Sequence, residues 1–266
     1  MPLLSVNGVR LHVEDSGGQG EPIVFSHGLL FSTRMFDAQV AALRGRYRCV
    51  AWDHRGQGQS EVPPVRSMAI EDCYRDGVAL IETLQLAPCH FVGLSMGGFV
   101  GMRIAARRPE LLRTLALLET SADAEPPENA PRYRLLNMVA RFLGPWAVAG
   151  KVMPILFSRT FLGDPARGAE REEWKRRIGA NRRSVWRAVN GVIERSPIYD
   201  ELKSIRVPTL VLVGEEDVAT VPAKAERIAS AIAGARLVRV AAAGHSSTIE
   251  QPAAITAELE RLFGNL

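Results

Sequence analysis

The stretch Cys89-His90-Phe91-Val92-Gly93-Leu94-Ser95-Met96-Gly97-Gly98 decides the fold. Its first half is a short apolar run of strand character, and Phe99–Arg108 behind it carries a helical pattern. Gly93-x-Ser95-x-Gly97 at a strand–turn–helix junction holds a serine in a backbone conformation strained for any residue with a side chain. The neighbours two before and two after must be small for the chain to turn so sharply. The hydroxyl then stands above the carboxyl end of a sheet. The next residue's N–H sits at a helix N-terminus, where it can meet a developing negative charge. An ordinary loop could carry the same three residues, but the flanking strand and helix favour a chemical role for Ser95.

Outward from this stretch the chain alternates. Upstream, Leu3–Val6 and Val9–Glu14 flank Asn7-Gly8, a strong hairpin signal. Apolar strands at Pro22–Ser26 and Tyr47–Trp52 end at His27-Gly28 and Asp53-His54-Arg55-Gly56. Helical patterns cover Thr33–Arg44 and Ala69–Leu86. Downstream, the strand Thr114–Leu118 ends at Glu119-Thr120-Ser121. Such alternation predicts a mostly parallel sheet covered by helices on both faces.

From Ser121 to Arg206 no strand is readable. A Pro- and Glu-rich linker, Ala124–Pro131, leads into four helical segments near Tyr133–Leu143, Trp146–Phe157, Glu170–Asn181 and Val185–Arg195. The expected organisation is therefore a core of residues 1–120 and 207–266, interrupted by a helical insertion over 121–206. Met138, Phe142, Trp146, Met153, Phe157, Phe161, Trp174 and Trp186 are expected to pack between the insertion's helices, with only a few facing a pocket. The alternation resumes with Val207–Val213, a helix from Pro222, a strand Ala235–Ala241 and a helix near Ala253–Phe263.

A length of 266 residues allows one large domain with an insertion. No apolar run reaches the ~20 residues of a membrane span. Met1-Pro2-Leu3-Leu4-Ser5 has no basic segment followed by an apolar one, so no signal peptide is expected. Cys49, Cys73 and Cys89 are odd in number and widely spaced, the usage of buried free thiols in a reducing compartment. A cytoplasmic protein is expected. The net charge is +4, but Pro131–Arg195 holds 14 Lys and Arg against 5 Asp and Glu. Without clustered aromatics or a recognisable binding motif, this basic stretch reads as solvated helix faces; no nucleic-acid or membrane partner is expected.

A serine hydroxyl needs a base, normally an imidazole. His12 lies inside a strand, and His90 opens the strand whose far end carries Ser95. His245, in Ala243-Gly244-His245-Ser246, follows the last strand and so falls at the sheet edge where open α/β sheets build their sites. His27 competes, although Gly28 beside it suggests a backbone role for that loop. The base needs a carboxylate partner. Gly214-Glu215-Glu216-Asp217 offers three acids at the same edge, and Glu119 is a second source.

Together these motifs resemble the α/β-hydrolase superfamily along nearly the whole chain: His27-Gly28, Asp53-x-Arg55-Gly56-x-Gly58-x-Ser60, Gly93-x-Ser95-x-Gly97-Gly98, Gly214-x-x-Asp217 and Gly244-His245, in this order. The resemblance implies an α/β-hydrolase fold with an inserted helical cap. It also implies acyl transfer with Ser95 as nucleophile, His245 as base and Asp217 as its acid, since the order Ser…Asp…His is the superfamily's. Glu119 stays as the alternative acid. By match, the N–H groups of Leu29 and Met96 form an oxyanion hole, and Asp53 and Arg55 are loop anchors. A dinucleotide reading of Gly56-Gln57-Gly58 fails, because no third glycine and no helix follow. No cofactor and no metal-ligand cluster is expected. A serine argues against the dehalogenases and epoxide hydrolases, which use aspartate there. The remaining likeness is to serine esterases, enol-lactonases and cofactor-free perhydrolases. Carbon–carbon bond hydrolases and slow-turnover small-molecule receptors of the same fold are the alternatives. A monomer or homodimer acting on a small ester or lactone is expected, and the basic insertion would suit an anionic one.

Overall fold

The computed structural model describes residues 3–264; Met1 and Pro2, where the signal-peptide reading begins, lie outside them. Strands β1 (Leu4–Val6) and β2 (Val9–Leu11) form the expected hairpin, with Asn7 and Gly8 both at positive φ. The strand expected over Val9–Glu14 is interrupted. His12 gives its N–H to Ser60 Oγ at 2.9 Å, and β3 (Val13–Asp15) leaves the hairpin to join the main sheet.

The core continues through β4 (Pro22–Ser26), α1 (Asp37–Leu43) and β5 (Arg48–Trp52). Next come α2 (Ile70–Thr83), β6 (Cys89–Leu94), α3 (Met96–Arg107) and β7 (Leu112–Leu118). Five helices follow: α4 (Ala130–Leu143), α5 (Ala149–Leu156), α6 (Arg159–Gly163), α7 (Gly168–Gly179) and α8 (Trp186–Ile193). Helix α6 was not expected; Ser158 starts it by accepting the N–H of Phe161 on its side chain. The chain ends with β8 (Thr209–Gly214), α9 (Pro222–Ala231), β9 (Arg236–Val240), α10 (Ser247–Glu250) and α11 (Pro252–Gly264).

The seven-stranded sheet runs β3-β5-β4-β6-β7-β8-β9, parallel except for β3. Alternate residues of its strands feed two different cores. Val24, Val50, Trp52, Phe91, Leu115 and Val211 pack with α2, α3 and α9 on one face. Ile23, Phe25, Val92, Ala116, Leu118 and Leu212 pack with α1 and α11 on the other. Burial on both faces is why these strands read as unbroken apolar runs. The second core does not stop at the sheet. It extends into the helical segment through Ala140, Val152, Met153, Phe157, Phe161 and Ile178. Complete burial of each such aliphatic or aromatic side chain is worth about 1.5–3 kcal/mol against exposure, which holds the segment down. At its far side α8 rests directly on the core: a Cβ on Gly191 would stand 1.8 Å from the carbonyl oxygen of Met68.

Cys49, Cys73 and Cys89 are free and buried, and burial pushes the thiols of Cys49 and Cys89 up to about 12. Among the described residues, no helix is long and apolar enough to cross a membrane.

Candidate active site

Ser95 sits between β6 and α3 with φ 53° and ψ −110°, a conformation that costs a side-chain-bearing residue roughly 1–3 kcal/mol. The surroundings enforce it. Ser95 N–H donates to Leu118 O at 2.9 Å, and Thr120 Oγ1 donates to Ser95 O at 2.8 Å. The flanking glycines are required by contact: a Cβ on Gly93 would stand 2.4 Å from Gly97 O, and one on Gly97 1.9 Å from Ser26 O.

His245 lies on the loop between β9 and α10, nearly buried, with Nδ1 2.9 Å from Asp217 Oδ2. Asp217 ends the turn after β8 and is fully occupied. Its Oδ1 accepts the N–H groups of Ala219 (2.8 Å) and Thr220 (2.9 Å), and its Oδ2 also accepts Thr220 Oγ1 at 2.7 Å. An ionised carboxylate can only accept, so it fixes the proton of His245 on Nδ1 and leaves Nε2 as the free acceptor. Ser95 and His245 line one cavity, and among the described residues no hydrogen bond joins their side chains.

Of the two candidate acids, only Asp217 meets the histidine. Glu119 is fully buried at φ 41°, and its Oε1 accepts the N–H of Gly214 at 3.2 Å while Oε2 has no partner among the described residues. Burial, and then the charge of Asp217, push its carboxyl well above the usual carboxylate range. The competing base His27 has both ring nitrogens engaged: Nε2 accepts the N–H of His54 at 3.0 Å, and Nδ1 donates to Gly28 O at 2.7 Å. Burial holds it below the ordinary histidine value. Asp53 accepts the N–H groups of Thr33 and Gln59, and Arg55 forks onto Asp76. Neither lines the cavity.

Leu29 lines the cavity beside Ser95, and Met96 opens α3. Their N–H groups have no protein acceptor among the described residues. Gln57, missed in the sequence, ties these two segments together. Its Oε1 accepts the N–H of Leu30, held at φ 71°, at 2.8 Å, and its Nε2 lies 3.5 Å from Met96 Sδ. The only signal was its place in a glycine-rich loop at the sheet edge. Two further residues were missed. Thr220 holds Asp217, as above. Glu250 accepts the N–H groups on both sides of His245, from Gly244 (3.1 Å) and Ser246 (3.2 Å), and that of Ser158 (2.9 Å) from the helical segment.

The cavity measures about 140 Å³. Its far wall is aliphatic, built from Leu136, Val148, Val152, Leu156, Val189 and Val192. A polar strip of Glu125, Tyr133, Asn137 and Arg195 interrupts that wall. The eight aromatic and methionine residues expected to pack inside the insertion divide differently. Met153, Phe157 and Phe161 are buried, whereas Met138, Phe142 and Trp146 are 52%, 63% and 70% exposed, and none of the eight lines the cavity. Helical periodicity identifies an apolar face without saying what covers it.

A parallel sheet with a strained serine after a central strand, and a histidine–aspartate pair on later strands of the same edge, defines a class. A profile described as the alpha/beta hydrolase family matches residues 23–259. The chain belongs to the alpha/beta hydrolase family. Among solved structures, it is similar to the enol-lactonase from Burkholderia xenovorans LB400, at 31% identity and a TM-score of 0.91, over 99% of this chain and 100% of that one. It is also similar to a thermophilic esterase from Thermogutta terrifontis, at 29% identity and a TM-score of 0.89, over 98% and 96% of the two chains. Among characterised sequences, 3-oxoadipate enol-lactonase 2 of Acinetobacter baylyi is 25% identical over 261 residues, 98% of this chain and 95% of that one.

Proposed function

We propose that this protein is a serine hydrolase that cleaves a carboxylic ester or lactone through an acyl-enzyme, with residues 121–206 as the lid over its site. The observation that carries the proposal is Ser95 at its strained turn on one cavity with an Asp217-paired His245. The enol-lactonase and esterase relatives support it.

Ser95 Oγ attacks the substrate carbonyl while its proton passes to Nε2 of His245. Asp217 stabilises the imidazolium that results. The negative charge on the carbonyl oxygen meets the N–H groups of Leu29 and Met96, each such donor being worth about 3 kcal/mol in comparable enzymes. His245 then returns the proton to the departing alkoxide. For a lactone that alkoxide stays tethered to the acyl chain. Water, deprotonated by the same histidine, releases the acid and restores Ser95. The reaction as written needs only water and the chain's own groups.

Initial rates on p-nitrophenyl esters of increasing acyl length, measured beside Ser95→Ala, test the proposal. We expect multiple turnover that falls at least about 10³-fold in a folded Ser95→Ala protein. Turnover equal in both proteins would refute it.

A further inference from the structure

Resting on the ester-hydrolase reading, we infer that Arg195 selects the substrate: one edge of its guanidinium binds a neutral carbonyl carried away from the scissile group. Arg195 follows α8, is 7% exposed and lines the cavity that holds Ser95 and His245. Nε donates to Asp123 O at 3.0 Å, and Nη1 donates to Glu125 Oε2 at 2.7 Å and Val192 O at 2.8 Å. The guanidinium carbon lies 4.5 Å from the centre of the Phe99 ring, which also lines the cavity. These attachments fix the plane of the group. Nη2 alone has no protein partner among the described residues, and it is not sealed from solvent.

The charge of Arg195 is already answered. Glu125 has a side chain only 9% exposed, and it pairs with Arg195 at 2.7 Å inside the cavity wall. Among the described residues no other lysine or arginine lines the cavity. A substrate carboxylate at Nη2 would add a second negative charge beside Glu125, with no second cation to balance it. A ketone, amide or ester carbonyl accepts the same N–H without that penalty. Tyr133 lines the same strip, and burial together with the charge of Glu125 keeps its hydroxyl protonated well past neutral pH. It offers a second donor. A plain hydrocarbon chain would displace water from these donors and leave them unpaired, so the site discriminates against it. The basic surface of the insertion thus does not translate into an anionic preference inside it.

The test compares p-nitrophenyl valerate with its 3-oxo and 4-oxo derivatives and with the carboxylate analogue p-nitrophenyl hemiglutarate. Each rate is divided by the imidazole-catalysed rate, to remove differences in intrinsic reactivity. We expect the best oxo ester to exceed valerate in kcat/KM by about tenfold or more, chiefly through KM, and to exceed the carboxylate. In Arg195→Met combined with Glu125→Gln, which keeps the site neutral, that ratio falls to near one. Arg195→Lys, which keeps the charge but loses the fixed edge, lowers it as well and serves if the double variant does not fold. A wild-type ratio near one at every oxo position, or a ratio unmoved by either variant, overturns the inference. So does a preference for the carboxylate. If valerate itself is not turned over by folded protein, the hydrolase reading fails, which is a separate result.

Discussion

The cavity has two walls of different physical kind. On the sheet side the site residues are held through the main chain or by a buried partner: Ser95 by Leu118 and Thr120, Asp217 by Ala219 and Thr220, His245 between two N–H groups bound to Glu250. On the helical side the lining is mostly valine and leucine, anchored by packing into the second core, with polar geometry confined to the strip around Arg195. Backbone geometry admits few substitutions; aliphatic packing admits many of similar volume. The first wall is suited to fixed chemistry, and the second to a substrate preference that can drift.

Substitutions can break that contrast or sharpen it. Asp217→Asn should cost the most, lowering kcat on the best p-nitrophenyl ester by about 10⁴-fold, because it no longer fixes the histidine tautomer. Glu119→Gln should cost less than about tenfold in the same assay; the reverse order would move the acid to Glu119. Next is Gly97→Ala, whose methyl would overlap the Ser26 carbonyl oxygen, a backbone atom with nowhere to go. It should destabilise the fold by about 3 kcal/mol in urea titration. Gln57→Ala should lower kcat roughly tenfold with little change in KM, since it loosens the segments carrying the two proposed oxyanion donors without removing either.

A smaller effect concerns pH. The carboxyl of Glu119 titrates above its ordinary value of 4.5, so the folded state keeps a proton that the unfolded chain releases. The stability this confers is complete below about pH 4.5 and is lost as pH rises toward the folded value. Glutamine cannot titrate. The melting temperature of Glu119→Gln should therefore gain on wild type as pH rises above 4.5, and the two should run parallel below it. Least of all, Phe142→Ser with Trp146→Ser on the exposed face of the helical wall should shift stability by no more than about 0.5 kcal/mol each.

What could be read from the sequence follows the same division. The parallel strands, the elbow and the loop positions of Asp217 and His245 were legible because unbroken apolar runs and small-residue turns leave local marks, whereas the order of the strands in the sheet does not. Asp53 and Arg55 came as anchors from the resemblance and carry no such local mark. Asp217 was preferred to Glu119 through the chain order of the resemblance alone; both acids end neighbouring strands, and only three dimensions show which one meets Nδ1 of His245. Gln57, Thr220 and Glu250 act through single side-chain bonds between segments far apart in the chain, which no periodicity records. In the helical segment, Met138, Phe142 and Trp146 carry the same apolar pattern as Met153 and Phe157. Their exposure depends on what neighbours them, not on their own spacing.

Glu250 also sets how the molecule can deform. One oxygen grips the strip of chain that carries His245, and the other grips Ser158 at the head of α6. Pulling α6 away would strand a buried carboxylate oxygen, whereas α4 is tied to α8 through Asn137, which donates to Trp186 O and Asn190 Oδ1 within the helical segment itself. One carboxylate thus couples α6 to the loop of His245, so a displacement of that helix is felt at the histidine, while the bonds of α4 stay inside the helical segment.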